Sequence, residues 1–294
     1  MKNKAKGSIY ILLATVIWGS TFVAQSAGMD YIQPFTFLAV RGLLAILFMI
    51  PMIYLLDGKE RHDFAKKWLD PQLWRSGILC GIFLFIATAL QQIGLIYTSA
   101  GKAGFITAMY IVIVPFIGLF YGKKPGIAPI ISVFIAVIGL YLLSCVGVDR
   151  INIGDILIFG CAVAFSFQIT IVDQNASKVD CVRFNCIQSL VAALLSAVFM
   201  VFTETPKLPN ILDCWLPLCY AGILSTGVAY SLQVVGQKHL EPTTASLLMS
   251  LESVFAVLFA WLLLGESLSS WEIIGCILVF AAVLISQWTP RRME

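Results

Sequence analysis

Apolar residues occur along the chain in long blocks that are separated by short polar connections. A transmembrane helix needs about 20 predominantly apolar residues to cross the hydrocarbon core of a bilayer. Because most connections are short, the blocks predict an all-α membrane protein whose ten helices are close neighbours. The predicted helices cover residues 7–27, 35–56, 75–96, 101–121, 127–146, 153–173, 183–203, 213–236, 243–264 and 271–288.

The first block follows Lys2, Lys4 and Lys6, an order of residues that also occurs in signal peptides. The block is longer than the apolar core of a usual signal peptide, and it resembles the block over residues 153–173. We therefore expect a permanent helix. The longest polar connection, over residues 57–75, is too short to hold a soluble domain.

Composition narrows the class of protein further. Hydrophobic residues make up 60% of the chain and charged residues 12%, whereas a typical soluble domain is about 25% charged. These values exclude a soluble enzyme, a nucleic-acid-binding protein, a secreted disulfide scaffold and a disordered chain. Membrane lipid is the expected surrounding, and no nucleic-acid partner is expected.

Lysine and arginine are distributed unevenly over the predicted loops. If the N-terminus is cytoplasmic, fifteen of them lie on the cytoplasmic side, and only Lys102, Arg150 and Lys207 lie outside. Cytoplasmic loops carry an excess of these residues in membrane proteins. The distribution predicts that both termini are cytoplasmic, and it leaves Arg41 inside a helix.

The cysteines and histidines predict no metal site. None of the eight cysteines forms a C-x-x-C pair, and the chain has two histidines, His62 and His239. Neither the spacing of the cysteines nor that of the two histidines is typical of a metal centre. We expect the cysteines to be buried apolar residues, and we expect no metal and no cofactor. The chain also lacks the glycine-rich loop of nucleotide-driven transporters.

The two halves of the chain resemble each other. Residues 14–18 align with residues 161–165 at an offset of 147, whereas Tyr110 aligns with Glu252 at an offset of 142. The change of offset falls where the loop over residues 57–75 is longer than its counterpart. The alignment predicts two five-helix repeats over residues 1–148 and 149–294.

An odd number of helices in each repeat forces the two repeats into opposite orientations. The predicted loops agree, because residues 122–124 are basic and their counterparts at residues 265–267 are acidic. Inverted repeats are the architecture of secondary transporters, in which a site between the repeats opens alternately to each side. The repeat therefore favours a transporter.

Four segments resemble motifs of EamA-type members of the drug/metabolite transporter superfamily. They are Trp18-Gly19-Ser20-Thr21-Phe22, the arginine segment over residues 38–45, and residues 104–115 and 245–266. The resemblance implies ten helices in inverted repeats and movement of small metabolites, often amino-acid export, across the bacterial cytoplasmic membrane. The family commonly has proline where this chain has Ser253, a departure that predicts a straighter ninth helix.

Glu252 is the carboxylate that lies deepest in the predicted bilayer, near the middle of the ninth helix. Ionisable residues at such depth cost roughly 2.5–3.5 kcal/mol and usually face a cavity or a partner. Glu252 could bind a proton or a cationic group. The alternative is a structural carboxylate that is bonded to backbone or hydroxyl groups.

Arg41 lies about six residues inside the outer end of the second predicted helix. Three interpretations are open: Arg41 reaches toward the lipid head groups, pairs with Glu252, or holds a substrate carboxylate. The length of the arginine side chain favours the first interpretation or a structural pair.

Uncharged polar residues form stripes on several predicted helices, for example Trp18, Thr21 and Gln25 on the first helix. Glutamine at bilayer depth must face protein or water rather than lipid. Bonds between helices would explain one stripe, but stripes in both halves favour a central cavity with aromatic walls. The predicted pathway residues are Glu252, Gln233, Tyr230, Gln91, Trp18, Thr21, Gln168, Tyr110 and Arg41.

Together these features predict a multi-pass secondary transporter that exports a small polar metabolite, such as an amino acid or a related compound. No catalytic residue and no enzymatic activity are expected. A channel-like facilitator is the alternative, and a membrane enzyme would need clustered carboxylates or histidines. The sequence leaves open the substrate, the direction, coupling to protons and a homodimeric assembly.

Overall fold

The structure is a computed structural model that describes residues 2–122, 126–144, 151–264 and 269–287. Its regular elements are helices. They are α1 (Lys2–Gly28), α2 (Pro34–Leu56), α3 (Phe64–Lys67), α4 (Pro71–Gly94), α5 (Ala100–Thr107), α6 (Tyr110–Phe120), α7 (Ile127–Ser144), α8 (Ile153–Asn175), α9 (Cys181–Thr203), α10 (Leu208–Asp213), α11 (Trp215–Cys219), α12 (Tyr230–Gln237), α13 (Pro242–Met249), α14 (Leu251–Leu264) and α15 (Ser270–Gln287). A 3₁₀-helix (Gly58–Asp63) precedes α3, and a π-helix (Tyr220–Ala229) joins α11 to α12.

Eight of the ten predicted segments form helices that are long and apolar enough to cross a membrane. The fifth and tenth segments form shorter apolar helices, over Ile127–Leu142 and Ser270–Ser286, which pack against each other. The basic and acidic loops at residues 123–124 and 265–267 lie outside the described residues, as do Arg150 and the ends of the fifth and tenth predicted segments.

Local sequence signals explain where several helices begin. Proline stands at the first position of α2, α4 and α13, where its missing N–H removes no helical hydrogen bond. The side chain of Asp70 caps α4, and that of Asp180 caps α9. These starts precede the predicted starts by one to four residues because the prediction followed hydrophobicity and not the caps.

Helices of the first half pack mainly on helices of the second half, and the pairs occur in matched sets. Helix α4 packs on α8, and the matching contact in the other half is that of α12 with α1. Helix α1 packs on α14, and the matching contact is that of α8 with α5 and α6. Helices α2 and α9, which align at the offset of 147, pack against each other. The core therefore forms between the halves.

Glycine permits two matched close approaches between the halves. A Cβ atom on Gly7 would lie 2.8 Å from the carbonyl oxygen of Gly236, and one on Gly154 would lie 2.8 Å from that of Gly94. The repeat alignment pairs Gly7 with Gly154 and Gly94 with Gly236. Small residues of this kind let helix backbones approach closely inside a membrane.

The fourth and ninth segments are both interrupted. The break between α5 and α6 falls at residues 108–109, and the break between α13 and α14 at Ser250, which is the repeat counterpart of Ala108. The ninth segment is thus interrupted although residue 253 is serine; that it is straighter than in relatives with proline stays a prediction. Without a proline, the backbone N–H of Ser253 donates to the carbonyl of Ser250 (3.2 Å), and its hydroxyl donates to the carbonyl of Gly104 on α5 (2.8 Å).

The π-helix between α11 and α12 was not predicted. The Thr226 hydroxyl donates to the carbonyl of Ala221, five residues earlier, at 2.9 Å. The corresponding stretch of the first half, residues 78–87, is ordinary α-helix within α4. Because π-helical turns are rare and are frequently found at functional sites, this asymmetry draws attention to the eighth segment as a candidate part of the site.

Polar clusters join α2 and α9 at both of their ends. Asp57, just after α2, accepts hydrogen bonds from the guanidinium of Arg183 at the start of α9 and from Lys67. Glu204, just after α9, accepts from the backbone N–H groups of Phe35 and Thr36 at the start of α2, both at 2.7 Å. The two helices therefore run antiparallel.

The Arg183 guanidinium, followed by Lys67, lowers the pKa of the Asp57 carboxyl below its ordinary value, against the opposing effect of burial. A depressed folded-state pKa stabilises the protein above the unfolded-state pKa, and this contribution is lost as the pH falls through the folded-state value.

We predict that Gly154→Ala destabilises the protein by about 1–3 kcal/mol, because the added methyl group meets three atoms closer than 3.0 Å. Thermal unfolding of the detergent-solubilised protein measures the effect. Gly101→Ala is the matched control, since its Cβ would meet no atom within 4 Å. Equal melting temperatures for the two variants would contradict the close approach of α4 and α8.

We predict that Asp57→Asn lowers the free energy of unfolding by about 1–3 kcal/mol at pH 7, because Arg183 then keeps Asp180 as its remaining carboxylate partner. The difference from the native protein should begin to shrink below about pH 4, where Asp57 of the unfolded chain takes up a proton. It should disappear once the pH falls below the lowered folded-state pKa. Glu60→Gln, which removes an exposed partner of Lys67, is the control with little expected change. A pH-independent difference would contradict the assignment.

Candidate functional site

A single cavity between the halves is lined by all nine residues that the sequence predicted as pathway residues. It offers about 40 Å³ to the centres of water molecules, enough for a few waters. These nine polar and aromatic residues are Trp18, Thr21, Arg41, Gln91, Tyr110, Gln168, Tyr230, Gln233 and Glu252. That these residues bind a substrate stays a prediction.

Six further residues line this cavity: Phe22, Gln25, Phe165, Ile169, Ser225 and Met249. Gln25 could have been included, because it continues the stripe of Trp18 and Thr21. The apolar lining residues carry no signal in one sequence, since a buried phenylalanine or isoleucine has the same pattern in any helix core.

Glu252 and Tyr110 meet at the point where the two interrupted helices cross. The hydroxyl of Tyr110, at the start of α6, donates to Oε1 of Glu252, near the start of α14, at 3.0 Å. Both residues are buried. Among the described residues, no cation lies within 4.0 Å of the Glu252 carboxylate. Glu252 therefore faces the cavity with a neutral partner.

Gly19 of the tryptophan-glycine-serine motif explains how α1 packs so close to this site. A Cβ atom there would lie 2.9 Å from the backbone oxygen of Glu252 and 2.4 Å from the Cβ of Phe255. Glycine thus allows α1 to pack directly on α14, which places Trp18 and Thr21 on the cavity wall.

Arg41 is buried, with 4% of its surface exposed. It donates from Nη1 to Oε1 of Gln25 (2.7 Å) and from Nε to the hydroxyl of Thr226 (3.1 Å). The interpretation that Arg41 reaches toward the head groups was therefore wrong, because its guanidinium is buried and donates to neutral acceptors on α1 and the π-helix. The direct pair with Glu252 is also not among the described ion pairs.

Aromatic side chains form one wall of the cavity. The rings of Trp18 and Tyr230 lie 4.9 Å apart at an angle of 59°. The indole N–H of Trp18 is buried and has no hydrogen-bond partner among the described residues. The lining therefore combines an unpaired neutral donor with the Glu252 carboxylate and the Arg41 guanidinium, which can meet charges of either sign.

The remaining glutamines are held by hydrogen bonds. Gln91 donates to the hydroxyl of Thr107 at 3.2 Å, and Gln233 donates to the amide oxygen of Gln168 at 3.2 Å. Across the described ranges, no three histidine, cysteine, aspartate or glutamate side chains come together as metal ligands would. The arrangement suits the binding of a small polar compound.

A second and larger cavity, of about 750 Å³, lies where α1 begins and α12 ends. It is lined by Lys4, residues 114–118 of α6, Asp173 of α8 and the connection over residues 238–243. We call it the vestibule. Asp155 lies at the other end of α8, about 27 Å from Asp173 along the helix axis.

A polar cluster around Asp155 closes that opposite end of the bundle. The Asp155 carboxylate pairs with the ammonium of Lys102 (2.5 Å) and accepts from the hydroxyl of Thr98 (3.0 Å) and the backbone N–H of Asn152 (2.9 Å). Its side chain is 6% exposed. The cluster joins the start of α8 to the start of α5.

Comparisons with known proteins agree with this architecture. The model of the EamA-like transporter family matches residues 5–145 and 152–288. The chain is 34% identical over 94% of its length to an uncharacterized transporter of Archaeoglobus fulgidus, covering 83% of that protein. It is 24% identical to the uncharacterized transporter YoaV of Bacillus subtilis, over 97% of both chains.

A further relative carries a substrate in its name. The threonine/homoserine exporter RhtA of Escherichia coli is 27% identical over 87% of this chain and 81% of its own. A crystal structure with 19% sequence identity superposes with a TM-score of 0.81 and covers 99% of both chains, which shows the shared fold. The chain belongs to the EamA-like transporter family of the drug/metabolite transporter superfamily, as a multi-pass protein of the cell membrane.

Proposed function

We propose that the protein is a secondary transporter that moves a small polar metabolite out of the cell by alternating access. The observation that carries the proposal is the cavity between the halves, whose lining comes from both of them and includes the repeat counterparts Tyr110 and Glu252. Secondary transporters bind their substrates at such an interface between repeats.

The proposed topology has ten membrane helices in two inverted repeats over residues 1–148 and 149–294, with both termini in the cytoplasm. The matched sets of helix contacts support two repeats. The antiparallel course of α2 and α9, with Asp57 and Glu204 as counterparts at opposite ends, supports inversion.

The described conformation is proposed to face the cytoplasm. The vestibule lies at the end that contains Lys4 and Lys238, which the charge distribution assigns to the cytoplasmic side. At the other end of α8, Lys102 and Asp155 close the bundle. Opening toward the outside would then require the separation of this ion pair.

The proposed substrate class is a small amino acid or a related compound. Glu252 and Arg41 line the same cavity and carry opposite charges, which match the ammonium and carboxylate groups of a zwitterion. The name of the RhtA relative supports the same class. Counterflow of labelled threonine and homoserine in proteoliposomes tests it, and flux without counterflow would indicate a channel-like facilitator.

We further propose that protons are the coupling ion and that Glu252 carries them. Glu252→Gln should abolish the dependence of transport on a proton gradient, because an amide cannot exchange a proton in this pH range. Counterflow should persist at a raised KM, because the amide no longer offers a negative charge to the substrate ammonium. Tyr110→Phe is the matched control, since it removes the hydrogen bond to the carboxylate and leaves the carboxylate in place. An unchanged pH dependence in Glu252→Gln would rule out this role.

The outer end of the bundle should open more readily when the ion pair of Lys102 and Asp155 is removed. In right-side-out vesicles, Asp155→Asn is expected to increase the labelling rate of a cavity cysteine, Thr21→Cys, by a membrane-impermeant thiol reagent by about threefold or more. Glu60→Gln, which breaks an ion pair near the cytoplasmic end, is the control. Equal rates in the two backgrounds would contradict the proposed outer closure.

A further inference from the structure

Five side-chain amides form a continuous hydrogen-bonded chain beside the cavity, which we call the amide chain. Each member is at most 2% exposed. Two of them, Gln233 and Gln168, line the cavity, and the others do not. In order, the members are Gln237, Gln233, Gln168, Gln188 and Asn185.

The first end of the amide chain is anchored on the π-helix. The side chain of Asn185 lies 3.0 Å from the carbonyl oxygen of Thr226 and 3.2 Å from that of Gly227. Because a carbonyl oxygen accepts and does not donate, the Asn185 atom facing both is the amide nitrogen. The Asn185 oxygen then accepts from Gln188, at 2.8 Å.

This anchor sets the direction of every bond that follows. The oxygen of Gln188 accepts from the nitrogen of Gln168 at 3.2 Å, and the oxygen of Gln168 accepts from the nitrogen of Gln233 at 3.2 Å. Reversal of any one amide would place two oxygens or two nitrogens against each other.

The second end is anchored independently on α8. The nitrogen of Gln237 donates to the carbonyl oxygen of Ile169 at 3.0 Å, so its oxygen accepts from the nitrogen of Gln233 at 2.9 Å. Both anchors therefore assign the same orientation to Gln233. Its two N–H groups are used within the amide chain.

The consequence is an unsatisfied acceptor at the cavity. Oε1 of Gln233 is buried and has no hydrogen-bond partner among the described residues, although the residue lines the cavity. Buried polar atoms without a partner are uncommon and cost free energy until a donor meets them. The amide chain prevents Gln233 from relieving this cost by rotation.

We propose that Oε1 of Gln233 recognises the substrate by accepting a hydrogen bond from one of its N–H or O–H groups. Gln188 and Gln237 are positioning residues, which fix the orientation of the Gln233 amide from outside the cavity. The inference rests on the proposed transport function and adds a specificity to it: the site selects compounds that present a donor at this point.

The test removes the donor from the substrate and the acceptor from the protein, first separately and then together, and compares the effects on KM. Counterflow is measured with L-homoserine, with its O-methyl ether and with its N-trimethyl derivative, each of which lacks one donor group. For the native protein, loss of the donor that meets Gln233 should raise KM by about tenfold or more. In Gln233→Met the same loss should leave KM unchanged.

The positioning role has its own measurement. Gln188→Met or Gln237→Met removes one route of anchoring and should change the homoserine KM by less than about threefold, since the other anchor remains. The double variant should raise KM by about tenfold, with the maximal rate within about twofold of native. Gln92→Met, a buried glutamine outside the amide chain, is the control with unchanged KM.

The results distinguish the proposed transport function from recognition by Gln233 and from positioning by Gln188 and Gln237. A purely structural role would lower the melting temperatures and give additive effects in the double variant, which would overturn the positioning assignment. Counterflow in the native protein with an unchanged KM in Gln233→Met would overturn recognition alone. If the native protein exchanges neither threonine nor homoserine, the proposed substrate class and this inference both fall.

Discussion

Hydrocarbon offers no hydrogen-bond partner, so every polar side chain at membrane depth must find one inside the protein. This constraint gathers Arg41, Glu252 and the glutamines of both halves around one cavity. It also explains why their partners are neutral groups from neighbouring helices, such as Gln25 for Arg41 and Tyr110 for Glu252. Of the buried groups that have no partner among the described residues, those of Trp18 and Gln233 belong to side chains that line the cavity, where a ligand can meet them.

Where the two interrupted helices cross, two buried polar side chains that are repeat counterparts become each other's partners. Tyr110 and Glu252 are counterparts in the alignment, and they contact each other directly. Residues related by a twofold operation can touch only near its axis, so the carboxylate lies close to the pseudosymmetry axis of the proposed inverted repeats. A group at that position keeps equivalent distances to both faces of the membrane.

Periodicity was sufficient to predict the helices and the stripes that line the cavity, because both depend on which face of a helix is apolar. The partners of Arg41 were not predictable, since Gln25 and Thr226 come from helices whose separation no single sequence reveals. The break at Ser250 lies beside a tertiary hydrogen bond from Ser253 to Gly104, which no local pattern predicts, and the π-helix leaves no pattern of its own. Asn185, Gln188 and Ser189 did share a helical face, a signal that could have identified the amide chain.

The cluster at Asp155 makes the two faces of the protein energetically unequal. The repeat alignment places Ser8 opposite Asp155 and Thr244 opposite Lys102. In the proposed topology, the cytoplasmic positions that correspond to the ion pair therefore hold hydroxyl residues. In the proposed cycle, the state that is closed to the outside is therefore stabilised by an ion pair that the repeat does not duplicate. Because the side chains of Lys102 and Asp155 are only 11% and 6% exposed, salt screens their attraction weakly. The bias toward the described orientation should therefore persist at high ionic strength.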